Sequence, residues 1–322
     1  MSLHWQPSTT VAALHQRAAI LAQIRQHFAN EAVLEVDTAV LSQCAVSDPF
    51  IDSFELSFRS HPDNDGQACF LQTSPEYAMK RLLAAGSGSI YQLGKVFRNG
   101  EAGRFHNPEF TMLEWYRIGF DEHALMDDIE RLLTPLLPDY RFERISYDAL
   151  FERELGIELA SASNAQLAAQ MRQHVDVEHP MDDRDGWLNL LMSHVIEPRL
   201  CGRAVFVTDY PASQAALARL KRLPNGQQVA ARFELFVDGV ELANGYHELT
   251  DANEQERRFL QDNVQRKQLG LPQRPLDMRL VAALQSGLPD CAGVALGVDR
   301  LVMLATKAAH IEEVIPFMFE QA

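Results

Sequence analysis

The sequence predicts an α+β fold, an antiparallel sheet flanked by helices. Strand-like runs come in groups joined by short polar turns, and amphipathic helices stand between the groups instead of alternating with single strands, as a parallel sheet would require. In addition, 47% of the 322 residues are hydrophobic, enough for one large domain or two modest ones. Residues 1–322 read as a single domain with a helical insertion near 139–200.

Taken in order, "TTVAALHQRAAILAQIRQHFAN" is the first helix: Leu14, Leu21, Ile24 and Phe28 recur near the 3.6-residue period, and Thr9 or Thr10 can cap it. "AVLEVDTAVLS" reads as a strand, and 60–68 as a turn-rich loop between two strand-like runs. "SPEYAMKRLLAAG" is a helix with Pro75 near its first turn and Gly86 past its end. "SIYQLGKVFR" and "EFTMLEWYRIGF" are strands joined by the polar loop 99–108. "DEHALMDDIERLLTPLL" is a helix with acidic residues in its first turn, where the helix dipole favours them. Beyond the insertion, "AVFVTDYP" is a strand and "AARFELFVDGVELANGYHELT" a hairpin turning at Asp238-Gly239. A helix covers 251–269, and "GVALGVDRLVMLAT" is a glycine-spaced strand running into a helix.

Several classes are disfavoured. No window approaches roughly 18 uncharged apolar residues, so no membrane span is expected. "MSLHWQPSTT" lacks a basic segment followed by an apolar run, so it is not a secretory signal. Cys44, Cys69, Cys201 and Cys291 stand far apart with no CxxC pair, which suits small buried hydrophobes in a reducing cytoplasm better than disulfides or zinc ligands. The formal charge of −15, with no basic run, weighs against an obligatory nucleic-acid partner, because a phosphate backbone is bound through clustered Lys and Arg.

Four places combine glycine, arginine and carboxylate in ways a plain core does not need. In "GKVFRNGEAGRFHNPEFTMLEWY", Arg98 ends a strand and can aim a guanidinium at a phosphate from a rigid support; Asn107 offers donor and acceptor, and Phe110 a ring face. A surface hairpin with scattered ion pairs would use the same residue types. In "ELANGYHEL", Glu241 and Glu248 are seven residues apart, a spacing that can serve one hydrated Mg²⁺ and is also common by chance. In "GVALGVDRL", Gly293 and Gly297 let a ligand approach the backbone and Arg300 starts a helix, although close strand packing selects the same glycines. In "TSPEYAMK", Glu76 lies in the first turn of a helix, where a capping carboxylate would also sit.

The order and spacing of these four resemble the catalytic core of class II aminoacyl-tRNA synthetases, lysyl-tRNA synthetase most closely. The first helix with "LEVDTAVLS" resembles motif 1, "FRNGEAGRFHNPEFTMLEWY" motif 2 and "GVALGVDRLVML" motif 3; "ELANGYHELTDANEQERRF" is similar to the lysyl-enzyme segment that holds metal and amino acid. The chain starts at the motif 1 helix, without the N-terminal OB-fold that reads the anticodon. A core of that kind resembles the elongation factor P–(R)-β-lysine ligase family.

The resemblance implies ATP-dependent activation of (R)-β-lysine or lysine as an aminoacyl-adenylate, then transfer to a lysine ε-amine of elongation factor P. It implies that Arg98, Asn99, Gly100, Asn107, Phe110, Glu241, Leu242, Gly297 and Arg300 line ATP, with Arg98 and Arg300 catalytic and Phe110 and Arg300 sandwiching the adenine. It implies that Ser74, Pro75, Glu76, Glu114, Tyr116, Asn244, Tyr246, Glu248 and Ala295 surround the amino acid, and that Glu241 and Glu248 hold Mg²⁺. A diamino acid carries two ammonium groups, and a carboxylate-rich pocket is what its chemistry requires. Motif 1 builds a dimer interface in the family, so a homodimer is expected.

The chain departs from the pattern at three positions. Gly100 stands where motif 2 has glutamate, with Glu101 next to it; Ala295 stands where the lysyl enzymes have glycine and the ligase family alanine; Ala39 stands where motif 1 has proline. Two alternatives stand beside the ligase: a truncated lysyl-tRNA synthetase acylating RNA, and a non-catalytic regulatory paralogue, which Gly100 would favour.

Overall fold

The computed structural model describes residues 5–175 and 183–322, and the chain forms two compact units. One runs up to Gly119 and resumes over Thr250–Ala322; the other is Phe120–Leu249.

The first unit opens with α1 (Val11–Asn30), capped by Thr10, whose side chain accepts from the Ala13 N–H at 3.1 Å. Its buried stripe is Ile20, Ile24 and Phe28, four residues apart, whereas Leu14 and Leu21 are half-buried. The expected stripe was therefore rotated toward Leu21 by one residue. The strand expected over 32–42 is also corrected. It is two short pieces, β1 (Leu34–Glu35) and β2 (Leu41–Ser42), in different sheets. The chain between them crosses over, with Val36 N–H bonding Tyr91 O and Thr38 N–H bonding the Gln92 side chain.

β3 (Glu55–Phe58) and β4 (Gln67–Leu71) flank the 60–68 loop and make a three-stranded sheet in the order β2-β4-β3. α2 (Glu76–Ala84) follows, and then the hairpin of β5 (Ile90–Phe97) and β6 (Glu109–Ile118), paired from Ile90↔Tyr116 to Phe97↔Glu109. Behind this hairpin Phe28 stacks on Tyr91 at 4.3 Å and meets Trp115 edge-on at 5.5 Å. Such contacts add about 0.5–1.5 kcal/mol beyond burial.

The second unit begins with α3 (Glu122–Leu133), capped by Asp121. β7 (Phe142–Ser146) is a strand within the expected helical insertion, followed by α4 (Tyr147–Leu155), α5 (Asn164–Met171), α6 (Arg184–Leu191) and, after a π turn at Met192–Ile196, α7 (Glu197–Arg199). The sheet continues with β8 (Ala204–Pro211), the short β9 (Leu220–Arg222), β10 (Gln228–Val237) and β11 (Val240–His247). Tyr147, Phe151, Trp187, Leu191, Val205 and Phe236 belong to the core between its helices and strands. The expected turn at Asp238-Gly239 joins β10 and β11, and Gly239 adopts φ 74°.

Back in the first unit, α8 (Ala252–Gln268) and α9 (Met278–Gly287) precede β12 (Cys291–Gly297), which pairs antiparallel with β6, and α10 (Val298–Thr306). Within each unit, pairing is antiparallel except for β1 with β5 and β7 with β8, both parallel.

Candidate active site

In the first unit, the β5–β6 hairpin carries most of the residues singled out by sequence. Arg98 follows β5, its backbone N–H donating to Pro108 O at 2.9 Å. Its guanidinium lies 5.2 Å from the Phe110 ring centroid and 3.6 Å from Glu101 Oε1. Its Nε is buried and has no hydrogen-bond partner among the described residues. A buried donor without an acceptor costs free energy, so this Nε is a position where an oxygen acceptor would be stabilising.

Asn107 is buried and already engaged: Nδ2 donates to Glu109 O at 2.6 Å, and Oδ1 accepts from Phe319 N–H at 3.0 Å. Gly297 caps α10, and Arg300 follows in the first turn, its Nη2 2.5 Å from His106 Nε2. A guanidinium cannot accept, so Nε2 is the acceptor there. Asp299 anchors this helix start to β6 and α1, accepting from Thr111 N–H at 2.7 Å and pairing with Arg17 at 2.6 Å. Arg98 thus covers Phe110, while Arg300 rests on the 99–108 loop.

Further along β6, Glu114 is 2% exposed. Oε2 accepts from Ser74 Oγ and Oε1 from Tyr116 Oη, both at 2.7 Å. Across the sheet it faces Gln92 on β5 and Ala295 on β12. Burial first, and then the negative charge of Glu76, push its carboxyl up to about 7. Ser74 also accepts from the Glu76 N–H at 3.0 Å, and Pro75 caps α2 without a side-chain bond. Glu76 is bonded at 2.5 Å to Lys80, itself 1% exposed. Sequence reasoning missed Lys80, although its place one turn after Glu76 was a readable signal.

The second unit holds another set. Opposite Leu235 and Phe236, β11 carries one residue too many: Leu235 pairs with Ala243 and Phe236 with Glu241, which leaves Leu242 as a bulge. The bulge changes the alternation, so Glu241 falls on the same face as Asn244 and Tyr246. That face holds a buried polar cluster. Glu234 accepts from Tyr210 Oη at 2.6 Å, from Asn244 Nδ2 at 3.3 Å and from Arg232, which also donates to Asn244 Oδ1 and to Gln214 O. Burial pushes the Glu234 carboxyl up, the Arg232 charge opposes it, and the Glu241 charge adds to the rise. Sequence reasoning missed Arg232, Glu234 and Tyr210; the alternation in "RFELF" was the available signal. Gly245 has no room for a side chain, since a Cβ would lie 2.3 Å from Phe233 Cζ.

Glu241 lies on β11 and Glu248 directly follows it. Glu234 and Glu241 sit at diagonal cross-strand positions, about 7–8 Å apart at the backbone. Glu248 is buried at the end of β11, its carbonyl accepting from Arg219 Nε at 3.0 Å. Among the described residues, no three His, Cys, Asp or Glu side chains group as a metal site.

A family model described as tRNA synthetases class II (D, K and N) matches residues 2–321. The chain belongs to this class II family. Within the family it is similar to proteins named elongation factor P–(R)-β-lysine ligase. That of Yersinia enterocolitica is 52% identical over 317 residues, 97% of each chain; that of Vibrio parahaemolyticus is 49% identical over 99% of each; that of Photobacterium profundum is 48% identical over the full length of both.

As a class II chain it departs from motif 2 at Gly100, and the backbone gives a local reason. Gly100 has φ 83°, a left-handed conformation, and nothing lies within 4 Å of a Cβ placed there. Conformation, not crowding, is what glycine satisfies at this turn. Glu101 points its carboxylate to Arg98 from the next position.

Proposed function

We propose that this chain is an ATP-dependent ligase that activates (R)-β-lysine, or lysine, as an aminoacyl-adenylate and transfers it to a lysine ε-amine of elongation factor P. The observation that carries the proposal is the 48–52% identity, over 97–100% of each chain, to class II proteins named for that reaction. Membership of the class II family supports the use of ATP.

The substrate carboxylate attacks the α-phosphorus in line, forming a new P–O bond as pyrophosphate leaves. Arg98 places its buried Nε and its guanidinium charge on the α-phosphate, where negative charge grows. Phe110 offers its ring to adenine once Arg98 turns to phosphate, and Arg300, released from His106, covers the other face. Asn107 holds the shape of the 99–108 loop through its bonds to Glu109 and Phe319. Glu114, with Ser74 and Tyr116 fixing its oxygens, accepts an ammonium group, and Glu76, Asn244, Tyr246 and Glu248 complete the polar contacts to the amino acid. Ala295, opposite Glu114 across β12 and β6, shapes the floor beneath that ammonium. The incoming lysine amine then attacks the adenylate carbonyl, and AMP leaves.

Glu241 and Glu248 are the carboxylates that would hold Mg²⁺, since this ion prefers a few carboxylates together with the substrate phosphates. Bound Mg²⁺ supplies positive charge for the phosphates.

The protein acts in the cytoplasm as a homodimer and without an obligatory nucleic acid. Exposed Leu34, Leu41, Leu56 and Phe58, on the short strands near the motif 1 segment, supply apolar surface for a second copy. No helix of the described residues is long and apolar enough to cross a membrane.

The test is mass spectrometry of elongation factor P incubated with this protein, ATP and each lysine isomer. A mass increase of one lysyl group on a single lysine, larger with (R)-β-lysine, is expected. An unmodified factor together with lysylated tRNA would overturn the proposal.

A further inference from the structure

The turn that follows Arg98 is held by a residue outside those assigned above. Asn99 donates its backbone N–H to Asp52 O at 2.9 Å and its side-chain Nδ2 to Asp52 Oδ2 at 2.9 Å. The other carboxylate oxygen, Oδ1, accepts from Arg274 Nη2 at 2.6 Å and lies 3.4 Å from Arg266 Nη2. Both arginines are buried and fixed by further bonds. Arg266 donates to Pro272 O at 2.7 Å and to Asp48 O at 2.8 Å, and Arg274 donates to Glu55 Oε2 at 3.0 Å. One oxygen of Asp52 thus faces an immobile cationic anchor and the other faces the turn.

We infer that Asp52 is a positioning residue for ATP: it clamps Asn99 by backbone and side chain, and so fixes the direction in which the neighbouring Arg98 leaves β5. Gly100, the next residue, has no side chain with which to hold the turn, and its left-handed backbone is open to solvent on the Cβ side. Restraint at this turn therefore comes from Asp52 on one side and from the Glu101–Arg98 pair on the other. Burial opposes the Asp52 charge, but Asn99, Arg274 and Arg266 outweigh it and hold the carboxyl below its usual range, so the clamp is ionised at neutral pH. The inference rests on the adenylate chemistry proposed above, in which Arg98 meets the α-phosphate.

The experiment compares the full-length wild type with Asp52→Ala, Asp52→Asn, Asn99→Ala and the double variant Asp52→Ala/Asn99→Ala. ATP–pyrophosphate exchange is measured with lysine and with (R)-β-lysine, ATP affinity by titration calorimetry, and Tm in parallel. Loss of a charge-assisted bond at a half-exposed site predicts an ATP KM and Kd about tenfold higher in Asp52→Ala, with the amino-acid KM within about twofold and a lower Tm, because the change also takes a carboxylate from the buried Arg266 and Arg274. Asp52→Asn keeps an oxygen for Arg274 and an N–H₂ that a rotated Asn99 amide can accept, so its ATP KM rises by only about threefold. The double variant falls no further than Asp52→Ala, because both changes break one contact.

Equal losses for ATP and amino acid, an unchanged ATP affinity in Asp52→Ala, or additive single effects would each overturn the inference. If Asp52→Ala does not fold, the ATP-against-amino-acid split in Asp52→Asn decides it. If the wild type exchanges with neither isomer, the adenylate proposal fails on that result, while the calorimetric ATP affinities still decide the role of Asp52.

Discussion

Glu114 in the first unit and Glu234 in the second are both buried carboxylates pushed above their usual range, yet they are satisfied in different ways. Glu234 has its own cation, since Arg232 bonds it directly and Tyr210 and Asn244 fill its remaining positions. Among the described residues, the Glu114 carboxylate accepts from the hydroxyls of Ser74 and Tyr116, and the nearby Lys80 is bonded to Glu76. A buried acid with a built-in counter-ion is part of the scaffold. One held by neutral donors, with the local lysine already engaged, is what the ammonium site proposed above requires.

The sharpest way to break this comparison is to exchange the two losses. Arg232→Met strands Glu234 without its cation and is expected to cost about 3–5 kcal/mol of stability in denaturant unfolding. Glu114→Gln should leave unfolding within about 1 kcal/mol, yet lower kcat/KM for the amino acid by roughly 10²–10³-fold. If Glu114→Gln instead destabilised the fold as much as Arg232→Met, the two acids would be the same kind of group.

Proton linkage gives a second, smaller effect. With its carboxyl at about 7 against an ordinary 4.5, Glu114 is protonated in the ligand-free fold and ionised in the unfolded chain between those values. The folded state then binds the extra proton, so this group makes the ligand-free fold lose stability as pH rises across that window. Binding runs the opposite way, because only the carboxylate attracts an ammonium group. Amino-acid affinity should rise about tenfold per pH unit below 7 and level off above it, with proton release on binding visible as a buffer-dependent calorimetric heat. A flat profile in wild type would show that the hydroxyls alone keep Glu114 ionised.

The smallest effect is at the motif 2 turn. Gly100→Ala should cost about 1–2 kcal/mol in unfolding through its left-handed backbone, and Gly100→Asn less, with ATP affinity following only as far as Arg98 moves.

Much of the fold was legible. The β5–β6 hairpin, the Asp238-Gly239 turn and the helices starting near residues 10, 76, 121 and 251 each carry local signals; Glu114 and Arg300 sit on elements that periodicity places, and Arg98 directly follows one. What escaped depends on pairing between distant segments. Whether 32–42 makes one strand or two is decided by where its hydrogen-bond partners stand. β7 is a strand because β8 lies alongside it. Asp52, Arg266 and Arg274 come from three separate stretches, and no local pattern joins them to Asn99.

The single extra residue at Leu242 acts as a gear tooth. Pairing resumes across it as if it were absent, so deleting it would leave Glu241 opposite Phe236 and on the face of Asn244 and Tyr246. Taking Leu242 into the ladder would instead put Leu242 opposite Phe236 and turn Glu241 to the other face. That one residue of slack therefore sets the phase of Glu241 against Asn244 and Tyr246.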